Sequence, residues 1–357
     1  MAGSGVTPST LETSINLIVR SPIGSGPARL ASVSVLRRGG RGLALAALLA
    51  LVATACGDDG STEPADATAT KEADGSADGQ TGRRDAAPFP VKTFTQTFVD
   101  ETRPTDDPVA ERDAATRSLE TDIYVPDGEG PFPLIVHAHG FDGNAGKFSQ
   151  LLTSWAEAGY VVAAPTFPLT NDVDDAGSVL DDFMNQPADV SLVIDRLLAL
   201  SAGDHAMLAG RIDEERIGVS GLSLGGTTVY GVGFNSCCRD QRISAVVVMN
   251  GLPLEFDGGS FPYEDIPLML SLSRDDPIVP YDQAIAPYEE ASGPKVLMTL
   301  DSDGHFEPYE DVASPHDEVV AEATTAFWNA HLRDDPDAID RLVAAVESHD
   351  LTEVTIG

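Results

Sequence analysis

Gly221-Leu222-Ser223-Leu224-Gly225-Gly226 restricts what this chain can fold into more than any other stretch. Arg216-Ile217-Gly218-Val219 reads as a strand running into it, and Thr227, Thr228, Val229 and Tyr230 begin a helix behind it. A G-x-S-x-G between a strand and a helix puts serine on a tight, strained turn. Glycines are needed there because a β-carbon would collide with the neighbouring strand and helix. The helix aims its N-terminal amides at the serine, where negative charge would develop. Without such flanks these residues would read as an ordinary Gly/Ser turn, but here both flanks fit.

The surrounding pattern extends the constraint. Residues 91–99 and 117–125 predict two opening strands. Leu134-Ile135-Val136, Tyr160 to Ala164, Ala245 to Met249, Leu268 to Leu272 and Val296 to Leu300 are short apolar runs suited to buried strands. Helices are predicted over 147–158 and from Pro187, where Val190, Val193, Ile194, Leu197 and Leu198 recur at helical spacing. Another is predicted from Ser314-Pro315, with Val320, Ala323, Phe327 and Ala330 on one face. This alternation implies an α/β fold, a mostly parallel central sheet with helices on both faces. The connection from Met249 to Leu268 leaves room for a small lid at most.

A serine hydroxyl is a poor nucleophile until a base takes its proton. His305, in Asp303-Gly304-His305-Phe306 just past the last apolar run, is the expected base. His316 is the rival but falls inside a predicted first helical turn, and His331 and His349 read as surface residues. An acid must hold the imidazole in its useful tautomer. Asp276, directly before Pro277-Ile278-Val279-Pro280, has that position; its neighbour Asp275 reads as a turn cap. The order Ser, Asp, His is the one expected when the serine lies on such a strand-to-helix elbow. Two backbone N–H groups should receive the oxyanion, one from Leu224 and one from Phe141 in His137-Ala138-His139-Gly140-Phe141. His137 and His139 have no third metal ligand at suitable spacing and read as braces of that loop, so no metal or cofactor is implied. Phe167, Leu169, Phe183 and Met184 read equally well as an acyl pocket or as core.

From about Phe89 to Leu332 the chain resembles the α/β-hydrolase superfamily. Within it, the short-lid carboxylesterase, dienelactone-hydrolase-like, bacterial cutinase-like and platelet-activating-factor acetylhydrolase-like groups are nearest. The resemblance is carried by His139-Gly140-Phe141, Gly221 to Gly226, Asp276 to Pro280 and Gly304-His305-Phe306. It implies the α/β-hydrolase fold and hydrolysis of a carboxylic ester (small molecule, lipid or polymer) through an acyl-enzyme, with Ser223, Asp276 and His305 as the triad. A serine nucleophile argues against the dehalogenase branch, which uses aspartate, and against dienelactone hydrolases proper, which use cysteine. An acyltransferase or serine peptidase on the same triad is a competing reading, as is a non-catalytic surface-binding protein on this scaffold.

The N-terminus reads as an address. Arg37, Arg38 and Arg41 precede the short apolar run Leu43–Ala55, a secretory-signal pattern. The run falls short of the ~20 residues a transmembrane helix needs. Val52-Ala53-Thr54-Ala55-Cys56 resembles the lipobox of bacterial lipoproteins, with Ala53 in place of the usual Leu, and implies lipidation of Cys56. Residues 57–88 are rich in small and acidic residues and cannot bury enough surface to order themselves. The expected organisation is therefore a leader and signal peptide over 1–55, an acidic tether over 56–88 and a catalytic domain over 89–357. The product would be exported to the cell envelope, meeting the membrane only through its lipid anchor, or secreted.

A formal net charge of −35, with Lys plus Arg totalling 22, argues against a nucleic-acid partner. Asp172, Asp174 and Asp175 lack the alternation and glycine of a calcium loop. Cys237 and Cys238 are adjacent, and both a vicinal disulfide and two free thiols stay open.

Overall fold

The computed structural model describes residues 13–19, 29–35, 88–108, 112–173 and 176–357, in two compact units, Met1–Gln80 and Thr81–Gly357. The first unit holds an antiparallel pair, β1 (Thr13–Val19) and β2 (Arg29–Val35). The predicted signal segment, Cys56 and the tether through residue 87 lie outside the described residues.

Among the described residues the second unit is built on a sheet of nine strands. These are β3 (Val91–Asp100), β4 (Arg117–Pro126), β5 (Phe132–Ala138), β6 (Val161–Thr166), β7 (Ile212–Leu222), β8 (Ile243–Met249), β9 (Leu268–Ser273), β10 (Lys295–Leu300) and β11 (Thr352–Ile356). Their order is β11-β10-β9-β8-β7-β5-β6-β4-β3. The six strands from β10 to β6 are mutually parallel, while β11 and the β4–β3 pair close the two edges antiparallel. The α/β expectation holds.

Among the described residues seven α-helices accompany the sheet: α1 (Ser149–Glu157), α2 (Gln186–Ala202), α3 (Leu224–Phe234), α4 (Tyr281–Ala284), α5 (Ala286–Glu290), α6 (Asp317–Leu332) and α7 (Ala338–Glu347). Side chains alternate across a strand, so each central strand feeds two cores. Leu134, Val136, Val246 and Val248 join residues of α2 and α3 in one cluster. Ile135 and Val247 join residues of α1, α6 and α7 in the other, where Trp155 meets Trp328 edge-on at 5.9 Å. Burial on both faces is why the strands are continuous apolar runs.

β5 pairs with β6 on one side and with β7 on the other. The chain thus steps outward from β5 and then crosses back, leaving a switch point at the carboxyl ends of β5 and β7, where crevices form in open α/β sheets. The loop after β5 carries Phe141 and the turn after β7 carries Ser223.

Several details differ from expectation. α7 and β11 follow the last predicted helix. α6 begins at Asp317, three residues past Ser314, whose amide donates to the Asp317 carboxylate at 3.0 Å and whose Oγ accepts the His316 amide at 3.2 Å. His331 and His349 are half-buried rather than surface residues, and the ring of His349 lies 6.0 Å from that of His316. Among the described residues no helix is long and apolar enough to cross a membrane.

One ion-pair centre lies inside the domain. Arg117, at the start of β4, is 0% exposed and bonds both carboxylates of Asp182 and Asp189 at 2.6–2.9 Å. Burial works against its charge, but the bonds from Asp189 and then Asp182 outweigh it and hold the guanidinium above its ordinary pKa.

Candidate active site

β7 delivers Ser223 to the end of the sheet with φ 55° and ψ −116°, a left-handed backbone that a side chain rarely adopts. The turn is held from both sides: the Ser223 amide donates to the Met249 carbonyl at 2.9 Å, and its carbonyl accepts the Thr227 amide at 3.2 Å. A β-carbon on Gly221 would fall on the carbonyl of Gly225, and one on Gly225 would fall on the carbonyl of Ala138. These two glycines let α3 dock against β7 and β5.

Asp276 and His305 come together from the loops after β9 and β10. Nδ1 of His305 meets Oδ2 of Asp276 at 2.6 Å, with both side chains almost wholly buried. Oδ1 of Asp276 accepts the amides of Ile278 and Val279 at 2.7 and 2.9 Å. This fixes the carboxylate and places the ring proton on Nδ1. Nε2 of His305 is buried with no hydrogen-bond partner among the described residues. Asp275 is exposed, with its amide donating to the Ser302 carbonyl at 3.0 Å, and takes no part. A β-carbon on Gly140 would sit 3.3 Å from Cβ of Ser223 and 4.0 Å from the ring of Phe306, so the Ser223 turn and the residue after His305 flank one glycine.

The two histidines before Gly140 are spent on the protein. Nδ1 of His139 faces the Gly140 carbonyl at 2.7 Å and must donate, while Nε2 accepts the Phe167 amide at 2.9 Å. Burial holds its pKa down at about 4. Nδ1 of His137 shares a hydrogen bond with Ser220 at 2.9 Å, and burial, then the nearby His139, bring its pKa to about 3. Both imidazoles are neutral braces.

The Gly140 carbonyl also accepts the Gly143 amide at 3.1 Å. In a trans peptide the next N–H, that of Phe141, points the opposite way. Among the described residues the amides of Phe141 and Leu224 make no backbone hydrogen bond.

Phe183 and Met184 are separated by the fold from Phe167 and Leu169. The latter two are buried, with Phe167 in the main core. Phe183 instead packs with Leu224 and Phe256, and half-buried Phe141, Met184 and Leu254 lie against them. Cys237 and Cys238 are joined by a disulfide just past α3, and Cys238 touches the same cluster. Asp172 pairs with Lys147 at 2.7 Å and accepts from Asn144 at 2.7 Å; Asp174 and Asp175 lie outside the described residues.

Asn250 belongs to this site although no motif announces it. Directly after β8, at φ 40°, its Nδ2 donates to the His305 carbonyl at 3.0 Å and to Ser273 Oγ at 3.1 Å, and its Oδ1 accepts the Ser273 amide at 2.7 Å. Tyr309 completes the network by donating to the Ser271 carbonyl at 2.9 Å. The signal available in the sequence is a polar residue and a glycine ending an apolar run, Met249-Asn250-Gly251.

Residues 95–255 match the family model of chlorophyllase. That stretch holds Gly140, Ser223 and Asn250 and stops short of Asp276 and His305. A comparison with the curated proteins finds no match. Among solved structures the chain is similar to a ferulic acid esterase from Streptomyces cinnamoneus, at 22% identity over 76% of this chain and 98% of that one, with a TM-score of 0.60. The fold is that of the α/β-hydrolases.

Proposed function

We propose that the chain is a serine hydrolase that cleaves carboxylic esters through an acyl-enzyme. The observation that carries this reading is the 2.6 Å bond from His305 Nδ1 to a fully engaged Asp276, which leaves Nε2 unpartnered, while Ser223 and Phe306, the residue after His305, flank the same Gly140. The chlorophyllase-family match, and the fold shared with an enzyme named a ferulic acid esterase, support an ester as substrate.

In this mechanism Nε2 takes the Ser223 proton as Oγ attacks the ester carbonyl carbon. The oxyanion settles between the N–H groups of Leu224 and Phe141, each of the kind that contributes roughly 10²–10³ in kcat. The alcohol leaves with the proton from Nε2. Water then attacks the acyl-Ser223 carbonyl, gives its proton to Nε2, and the acid departs as that proton returns to Ser223. Asp276 stays ionised throughout and supports the imidazolium.

The test is hydrolysis of p-nitrophenyl esters from acetate to palmitate, with Ser223→Ala run beside the parent. Activity that disappears in the variant is expected. Activity that survives it would sink the assignment of Ser223. Product analysis with an added alcohol separates hydrolysis from acyl transfer.

The protein is also proposed to be exported and lipid-anchored through Cys56, on the basis of Arg37, Arg38, Arg41 and the run to Ala55. Labelled palmitate should enter the full chain and fail to enter Cys56→Ser; equal labelling would rule the anchor out.

A further inference from the structure

An apolar cluster adjoins the Ser223 turn through Leu224. Phe183, Leu224 and Phe256 form its buried base, with Phe183 and Phe256 edge-to-face at 5.3 Å, and half-buried Phe141, Met184 and Leu254 cover them. Phe141 and Leu224 also own the two proposed oxyanion N–H groups, so the patch begins where the ester carbonyl would bind. Its other residues come from the segment before α2 and from the connection between β8 and β9. None comes from the loops of Asp276 or His305, and Phe306 packs into the core cluster on the sheet's other face.

That asymmetry assigns the two arms of the substrate. The leaving alcohol oxygen must receive its proton from His305 Nε2, so the alcohol arm lies on the His305 side. The acyl chain extends from the same carbon in the other direction, over the apolar patch. We infer that Phe183, Met184, Leu254 and Phe256 form the acyl-chain site and select esters of apolar, medium-to-long acids, an inference that rests on the serine-esterase reading above.

The site is preformed because polar bonds fix the segment bearing Phe183 and Met184 at both ends. Asp182 is held by buried Arg117. Gln186, itself fully buried, donates to Thr170 Oγ1 at 2.8 Å and accepts from Thr228 Oγ1, whose single proton is shared with the Leu224 carbonyl 3.1 Å away. Thr228 stands on the helix that follows Ser223, so the acyl wall and the nucleophile are tied to one element.

The experiment compares kcat/KM on p-nitrophenyl acetate and octanoate, and on methyl and octyl acetate, for the parent, Met184→Glu and Leu254→Glu. Both positions are half-buried, and a carboxylate there disfavours a chain lying over it. The octanoate-to-acetate ratio is expected to exceed ten in the parent and to fall at least tenfold in each variant, with Met184→Leu restoring it. The octyl-to-methyl ratio should stay within threefold. An unchanged acyl ratio in active variants, or a loss confined to the octyl alcohol, overturns the acyl site and leaves the esterase reading standing. A folded parent inactive on all four esters removes both.

Discussion

Asn250 holds His305 by its main chain: Nδ2 donates to the His305 carbonyl at 3.0 Å while Oδ1 accepts the Ser273 amide at 2.7 Å. The ends of β8 and β9 and the loop after β10 are thereby tied at one side chain that is 1% exposed. Asn250→Ala strands a buried donor and a buried acceptor, at a cost of about 1–3 kcal/mol. It also frees the imidazole to drift, and a misplacement of about 1 Å in such a group can cost ~100-fold. We expect kcat to fall by more than ten-fold with KM nearly unchanged, and the urea midpoint to drop. Steady-state kinetics on the best ester would show this; an unaltered kcat would mean that His305 is positioned without Asn250.

His139 should matter for the oxyanion rather than for substrate binding. Its Nδ1–H fixes the Gly140 carbonyl, and so the direction of the Phe141 N–H. In His139→Leu that peptide loses its side-chain anchor, and kcat should fall toward the ~10²–10³ loss of one oxyanion donor. Affinity for a tetrahedral boronate should weaken in parallel while KM holds. If KM rises and boronate binding is retained, the histidine serves only the core.

The same burial makes acid pH destabilising. An unfolded histidine titrates at 6.5, whereas His137 and His139 are held to about 3 and about 4. Between pH 6.5 and 4 the unfolded chain therefore binds protons that the folded chain refuses, and stability falls as pH falls, by at most ~1.4 kcal/mol per unit for each histidine. Above 6.5 the two contribute no slope. The Glu310 carboxyl, pushed up by burial, titrates in the opposing sense, so the difference between two proteins isolates the imidazole. His137→Phe, whose ring would stay against Phe148 (4.3 Å from the present imidazole), should flatten the dependence of the urea midpoint between pH 6.5 and 5. Parallel slopes in parent and variant would exclude this account.

Ser223, Asp276 and His305 are legible because each lies in a short local pattern whose geometry is set by its own glycines or prolines. The central strands are legible because both their faces are buried, which leaves continuous apolar runs. Asn250 is not legible, since its role exists only once β8, β9 and the loop after β10 lie side by side. The edge strand β11 hides for a related reason: it has one neighbour and mixed exposure, so Thr352–Ile356 has no hydrophobic signature. Phe183 and Phe167 look alike in sequence and lie on the same connection after β6, and only the folded path of that connection puts one against Leu224 and Phe256 and the other in the main core. The adjacency of Cys237 and Cys238 permits a bond without requiring it.

Arg117 is the extreme case, because its partners Asp182 and Asp189 lie 65 and 72 positions further along the chain. Removing one partner of a buried pair leaves an uncompensated charge and costs roughly 3–5 kcal/mol, whereas replacing all partners by apolar or neutral groups can be nearly neutral. Asp189 keeps a second cation in Arg103, at 2.7 Å, so Asp182 is the carboxylate that Arg117→Met would strand. Chemical denaturation of the single variant should therefore show the full loss, and Arg117→Met with Asp182→Asn should recover most of it. Arg117→Lys should resemble the methionine variant, because one ammonium cannot span two carboxylates that a planar five-donor fork now engages. If the double variant is no more stable than the single one, the cost lies in lost packing around β4 and not in the stranded charge.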